Sequence, residues 1–417
     1  MRIGIIGGGA AGLATAWLLQ DDHQVTLLER EHRLGGHAHT VEVEIDGATV
    51  PVESGFEFFI EEAYPCFAAL LRALELPVHR YPLTFTLYSS GCDTVHLLPP
   101  VRHGRLRWSG LRPGSLAKML QLVRVLRAAS PLVEKRDWSI TLGDFVQSLD
   151  LSPGFRDDFL YPFLNGGWCV PLDQFQRFAA YDVLKYVLLH HVNGLTPPRL
   201  SEVAGGMQTY VCAMKNALSR TLIETGVETR CIRRCGSAFV LADAAGQHRE
   251  FDHLVLATNA FEAGRLLEAM DGAGPQRETL SGIQYFQTSI AVHADRRLMP
   301  PCERDWSVFN VRWDGQRSLS TIWRRQAGGK PVFRSWIANA DPPEHLFHLA
   351  TYWHPITNPA YFRAQELLGR LQGRGNLWFG GAYAHDIDSH ESAIRSAIRV
   401  ARELAPASAN LQRLPRS

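Results

Sequence analysis

Residues 1–30 read MRIGIIGGGAAGLATAWLLQDDHQVTLLER, and their order decides the fold. Ile3 to Ile6 is a short β-branched run that enters glycines at Gly7, Gly9 and Gly12, spaced G-x-G-x-x-G. Ala10, Ala11 and the apolar run from Leu13 to Gln20 predict a helix opening on that loop. Gly7 permits the tight strand-to-helix turn, Gly9 lets backbone approach a pyrophosphate, and Gly12 lets helix and strand pack closely. The helix start presents N–H groups and a partial positive charge to phosphates. A second strand, Val25 to Leu28, ends at Glu29, about 20 residues on, where a carboxylate accepts from ribose hydroxyls. Strand, triplet, helix, strand and terminal acid together predict a dinucleotide fold. The same glycines argue against reading the start as a signal peptide.

At 417 residues the chain has room for two or three domains, or for one domain carrying a large insertion. A 46% apolar content supports a sizeable core. A net charge of +1 argues against nucleic-acid binding. Seven scattered cysteines point to a reduced, cytoplasmic compartment. Cys231 and Cys235 have no His partners at zinc spacing, so no metal is expected. No apolar run reaches the roughly 18–20 residues of a membrane span.

The residues after Glu29 choose between NAD and FAD. Arg33, Leu34, Gly35 and Gly36 supply a second glycine pair, which suits a cofactor extending past the first helix. Alternating apolar residues around Asp46-Gly47 then predict a β-hairpin, Val41–Ile45 with Val50–Val52. The fingerprint, the basic-x-Gly-Gly segment and the acid-x-Gly segment at Glu53-Ser54-Gly55 resemble the flavin-containing amine oxidase superfamily. "VAGGMQTYV" (203–211), "HADRRLMP" (293–300), His354-Pro355 and "WFGGAY" (378–383) are similar to a bacterial group of FAD-dependent oxidoreductases often encoded beside cyclopropane-fatty-acyl synthases.

The resemblance implies a Rossmann-like α/β FAD-binding domain of amine-oxidase type, built from 1–60, 199–260 and 374–417. A mixed α+β substrate domain from 61–198 and 261–373 would be inserted in it. It implies non-covalent FAD, held by the residues named above with Arg30, His37, Phe56, Ile232, Ala257 and Thr258. Ile232 is matched to a strand that meets adenine through its backbone, after a helix-like run from Cys212 to Glu224. Toward the end, Leu377–Phe379 reads as the last strand and Gly380-Gly381 as a close backbone approach. Ser389 reads as the N-cap of a helix opening at His390, whose N–H groups face the flavin C2 carbonyl in relatives. Between them stand His385, Asp386 and Asp388, expected to transfer protons or hold a cationic substrate, with carboxyl protonation shifted toward neutral pH.

Two further stretches bear on the substrate. Residues 159–191 are rich in aromatics and read as helical core or a pocket wall. From Thr94 to Val133 there is no acidic residue but seven basic ones, Arg102, Arg105, Arg107, Arg112, Lys118, Arg124 and Arg127. Ser115–Ala129 carries an apolar stripe at Leu116, Met119, Leu120, Val123 and Leu126. Such a segment serves an inner-membrane surface, an acidic carrier or substrate, or an ordinary solvated face. The reaction expected is hydride transfer from the carbon of a small or lipid-like substrate to flavin N5. The alternatives are a redox-neutral isomerase or hydratase of unsaturated lipids and a non-catalytic flavoprotein partner.

Overall fold

The computed structural model describes residues 1–45, 47–89, 92–99, 101–102, 105–106, 113–190, 198–324, 331–338 and 340–415. Asp46, Arg107 and Arg112 lie outside the described residues.

Five parallel strands form the first sheet: β1 (Arg2–Ile6), β2 (Gln24–Glu29), β3 (Thr221–Thr225), β4 (His253–Leu256) and β5 (Leu377–Phe379), in the order β3-β2-β1-β4-β5. The period-2 alternation of side chains sorts its two faces. Ile3, Ile5, Val25, Leu27 and Val255 pack against four helices, α1 (Ala10–Leu19), α2 (Pro65–Ala73), α3 (Met207–Ala217) and α4 (His390–Leu404). Ile6, Leu28, Leu254 and Leu256 face a three-stranded antiparallel sheet through Ile232, Phe239, Leu241 and Phe251. This two-sided burial is what the near-continuous apolar runs of parallel strands require.

The helix expected over Cys212–Glu224 ends at Ala217. Thr221–Thr225 is instead the edge strand beside β2. Thr221, Ile223 and Thr225 are β-branched and disfavour helix, and Gly226 at φ +73° turns the chain out of the strand. The hairpin pairs Thr40–Ile45 with Ala48–Glu53, Ile45 opposite Ala48.

A second, seven-stranded sheet runs in the order 346–355, 285–293, 333–336, 318–323, 309–313, 85–89, 92–98. Helices Pro113–Glu134 and Ala180–His190, with short helical turns over 153–165, bury their apolar sides in a core shared with that sheet and with β4 and β5. The expected stripe on Ser115–Ala129 is rotated. The buried residues are Leu122, Val125, Ala129 and Leu132, while Leu120 and Val123 face outward, 73% and 43% exposed.

Candidate active site

The C-terminal ends of β1, β4 and β5 and the start of α1 converge, where open α/β sheets bind ligands. The glycines there do different work. Gly7 sits at φ +108°, and a Cβ on it would stand 2.5 Å from Ala257 O. A Cβ on Gly12 would stand 1.8 Å from Gly7 O. Both are fixed by packing. A Cβ on Gly9 would meet nothing nearer than the Gly36 Cα, at 3.9 Å. The space above Gly9 is therefore open, beside a helix start with no side-chain cap and no acid in its first turn. That combination suits a pyrophosphate, whose charge satisfies the N–H groups that Ala10 and Ala11 bring to the helix start.

The second glycine pair closes on the first. Gly35 N–H donates to Gly8 O at 2.8 Å. The Glu29 carboxylate stands at the turn, accepting from Gly8 N–H (2.6 Å) and Glu31 N–H (2.8 Å). Val227 N–H donates to Glu29 O at 2.9 Å, which brings the Ile232 sheet to the same edge. Ile232 itself is fully buried and pairs with Leu241 in that sheet. Arg30 is exposed and lies 3.5 Å from Glu262. At β5, Gly381 N–H donates to Ser396 Oγ at 2.8 Å, while a Cβ on Gly380 would lie 3.7–3.8 Å from Ala257 Cβ and Ala11 Cβ. A Cβ on Gly381 would fall 3.6 Å from Thr258 O.

Two sequence motifs prove to be helix caps. Glu53 accepts from Met207 N–H at 2.8 Å, so the acid-x-Gly segment holds the N-terminus of α3. Burial raises the Glu53 carboxyl to about 7. Glu391 accepts from Cys66 N–H (3.1 Å) and Phe67 N–H (2.9 Å) and so holds α2. Ser389 caps α4 as expected, accepting from Ser392 N–H at 3.0 Å. The His390 ring turns into an aromatic box: it stacks on Phe56 at 4.3 Å and meets Phe67 edge-on at 4.5 Å. The helix start thus offers its backbone, not this imidazole.

Gly55 lies so close to His37 that a Cβ on it would stand 2.0 Å from His37 O, and Phe56 N–H donates to that oxygen at 2.8 Å. The His37 ring packs edge-on to Tyr352 at 4.6 Å and lies 5.2 Å from the His354 ring. His354 Nδ1 is 2.7 Å from Asp388 Oδ2. With the carboxylate as acceptor, Nδ1 is the donor of this pair, and Nε2 lies on the opposite side of the ring. Burial, then the neighbouring His354, pushes the His37 imidazole down to about 4. His37 keeps some accessible surface despite that burial, as a residue on a cavity wall does.

Asp386 departs from expectation. It takes a hydrogen bond from Tyr181 Oη at 2.7 Å and an ion pair from Lys185, with Arg136 3.9 Å away. Its backbone is tied to Gln365 on both sides, N–H to Oε1 and O to Nε2, each at 2.9 Å. Burial alone would raise its pKa, but the Lys185 ammonium and the Tyr181 hydroxyl outweigh burial and hold it below the usual carboxylate range. The expected shift toward neutrality belongs to Asp182 instead, pushed up to about 8 by burial and by Asp388 and Asp386, against a hydrogen bond from Thr357. The His385 imidazole is pushed down to about 4 by burial. Sequence reasoning named Asp388 but gave His354, Tyr352, Lys185 and Asp182 no role. The available signals were the His354-Pro355 pair and an acid and a lysine inside the apolar helix "AAYDVLKYVLLH" (179–190).

Residues 10–300 match the family described as flavin containing amine oxidoreductase. The chain belongs to that family. It is a flavin-dependent oxidoreductase of mixed α/β fold. Among curated proteins it is 25% identical over 361 residues to the flavin-dependent L-tryptophan oxidase RebO of Lentzea aerocolonigenes, across 77% of this chain and 71% of that one. In fold it is similar to a fatty acid isomerase from P. acnes (TM-score 0.72, 17% identity, 96% and 98% of the two chains). It is likewise similar to cyclohexylamine oxidase from Brevibacterium oxydans IH-35A (TM-score 0.68, 16% identity, 97% and 98%).

Proposed function

We propose that the flavin is FAD, bound non-covalently, and that the protein oxidises an apolar substrate, which loses a hydride from one carbon and a proton from the atom beside it to leave a double bond. The open space over Gly9, beside the uncapped start of α1 and Glu29, carries the cofactor assignment. When bound, FAD supplies the hydride acceptor at N5.

The protein's own residues do the rest. Gly9, Gly36, Ala10 and Ala11 would cradle the diphosphate, Glu29 would take the ribose hydroxyls, and the start of α4 would offer its backbone N–H groups to the flavin. The carboxylate of Asp388 orients His354, whose Nε2 is free to accept the substrate proton. His37, neutral at physiological pH, adds no competing charge beside it. Trp168, Tyr186, Phe178 and Phe286 link His354 to the helical region through ring contacts of 5.3–6.3 Å. That lining excludes water and favours an apolar substrate.

The test is anaerobic mixing of the yellow protein with amine, fatty-acyl and aromatic-alcohol panels, read at the flavin band. Bleaching by one class supports the reading. Double-bond movement with the flavin still oxidised would replace it with an isomerase. The same panel on His354→Gln should bleach slowly while the cofactor stays bound.

A further inference from the structure

The basic segment has a structural counterpart. Seven of the chain's 43 basic residues fall between Thr94 and Val133 with no acid among them, and without those seven the formal charge of +1 becomes −6. That stretch is therefore strongly basic, while the rest of the sequence carries a net negative charge. Leu120, at 73%, is the most exposed large apolar side chain among the described residues, and Val123, at 43%, lies one turn on. Arg124 and Arg127 are exposed on the same helix, Arg124 donating to Asp150 O at 3.1 Å. Lys118 at its start lies 3.0 Å from His96 Nε2. The opposite face, Leu122, Val125, Ala129 and Leu132, is anchored in the core cluster that also holds Phe159, Phe163, Phe178 and Ile387. The outward residues are thus held in place by a packed helix. Among the described residues no helix is long and apolar enough to cross a membrane.

We propose that the outward face of Pro113–Glu134 docks on an anionic lipid bilayer. A bilayer takes both features at once: Leu120 and Val123 enter the acyl boundary while Arg124 and Arg127 meet the headgroups. Charge complementarity commits the face to an anionic surface. The exposed apolar pair favours lipid over an acidic protein. The proposal does not depend on the reaction proposed above.

The test is flotation of the full flavin-loaded chain with phosphatidylcholine vesicles, with and without phosphatidylglycerol. Binding is expected with the anionic vesicles, at least about tenfold tighter than without them, and falling as salt screens the charges. Each basic residue near such a surface is worth about fivefold, so Arg124→Glu with Arg127→Glu should weaken binding by at least about 25-fold. Leu120→Ser with Val123→Ser should weaken it too and leave flavin content and folding unchanged, because neither side chain is buried. Equal partition into both vesicle types, undiminished binding by the Arg124→Glu, Arg127→Glu variant, or co-migration with an acidic carrier protein in place of vesicles would each overturn the proposal.

Discussion

The two ends of the candidate cofactor site are built by different means. At the diphosphate end, backbone does the work, and glycine is forced wherever two backbones touch, as at Gly7, Gly12 and Gly55. At the His385–His390 end, side chains from distant parts of the chain do it. Asp386 is held by Tyr181, Lys185 and Gln365, and Asp388 by His354. Two aspartates separated by one residue therefore have different partners, one braced by Tyr181, Lys185 and Gln365 and one paired with His354.

The sharpest way to break this contrast is at Gly9. Its φ of −77° and ψ of −172° suit any residue, and the space above it holds no protein atom within 3.9 Å. Gly9→Val should therefore fold, melt like flavin-free wild type, and purify colourless. If it binds flavin normally, the open space is not the diphosphate site. Gly12→Ala, by contrast, should fail to fold, since its Cβ would overlap Gly7 O.

Next in size is Asp388→Asn. It should keep the yellow colour and slow anaerobic flavin reduction by about 10²–10⁴-fold, the usual worth of a positioned base. If the loss falls on substrate affinity alone, with reduction at saturation normal, the pair holds an ammonium and accepts no proton. Glu29→Ala should be milder. Its charged hydrogen bonds are worth about 1.5–3 kcal/mol, or about 10–100-fold in FAD affinity, measured by titrating apoprotein.

The contrast also explains what the sequence could show. Backbone constraints are written locally: a glycine at a fixed offset from a strand and a helix leaves few alternatives, so the parallel sheet and its loop were legible from thirty residues. Glu53 was legible as part of a motif, but neither it nor Glu391 as a helix cap, because the N–H groups they satisfy lie 154 and about 325 residues away in the chain. The division between Asp386 and Asp388 was hidden for the same reason, since only the fold brings Lys185 to one and His354 to the other. The stripe on Ser115–Ala129 left its buried side open, because a helix rich in Leu and Val on several sides does not declare which side its neighbours will cover; Met119 and Leu126 pack against the core while Leu120 and Val123 face out.

Asp386→Asn should have a smaller effect on the chemistry than its neighbour. It leaves the partly buried Lys185 ammonium without its carboxylate, so the cost falls on stability, about 2–3 kcal/mol, discounted from a fully buried pair because both side chains keep some exposure. Its native pKa lies below the ordinary value, so the pair's contribution is complete above about pH 4 and is lost as pH falls further. Chemical denaturation should show the deficit at neutral pH, and the gap between variant and wild type should narrow in acid. Reduction of bound flavin should proceed at nearly the wild-type rate. A large rate defect with unchanged stability would erase the distinction between the two aspartates.

The last test is at Asp182, where no effect on the chemistry is expected, and it probes the electrostatics of the whole cluster. Its folded pKa is about 8 against an ordinary carboxylate value, so the native state keeps a proton that the unfolded chain releases. The unfolded state binds fewer protons throughout that window, and stability must fall as pH rises from about 4 to about 8. Asp182→Asn keeps the size and can still accept from Thr357 Oγ1, while the titrating group is gone. The variant should match wild type near about pH 4 and melt progressively higher as pH rises toward about 8, each kcal/mol moving the midpoint of a chain this long by about 2 °C. If wild type and variant lose stability in parallel across that range, Asp182 is ionised in the native state. Asp386 and Asp388 would then share their enclosure with a third negative charge, which the Lys185 ammonium alone does not balance.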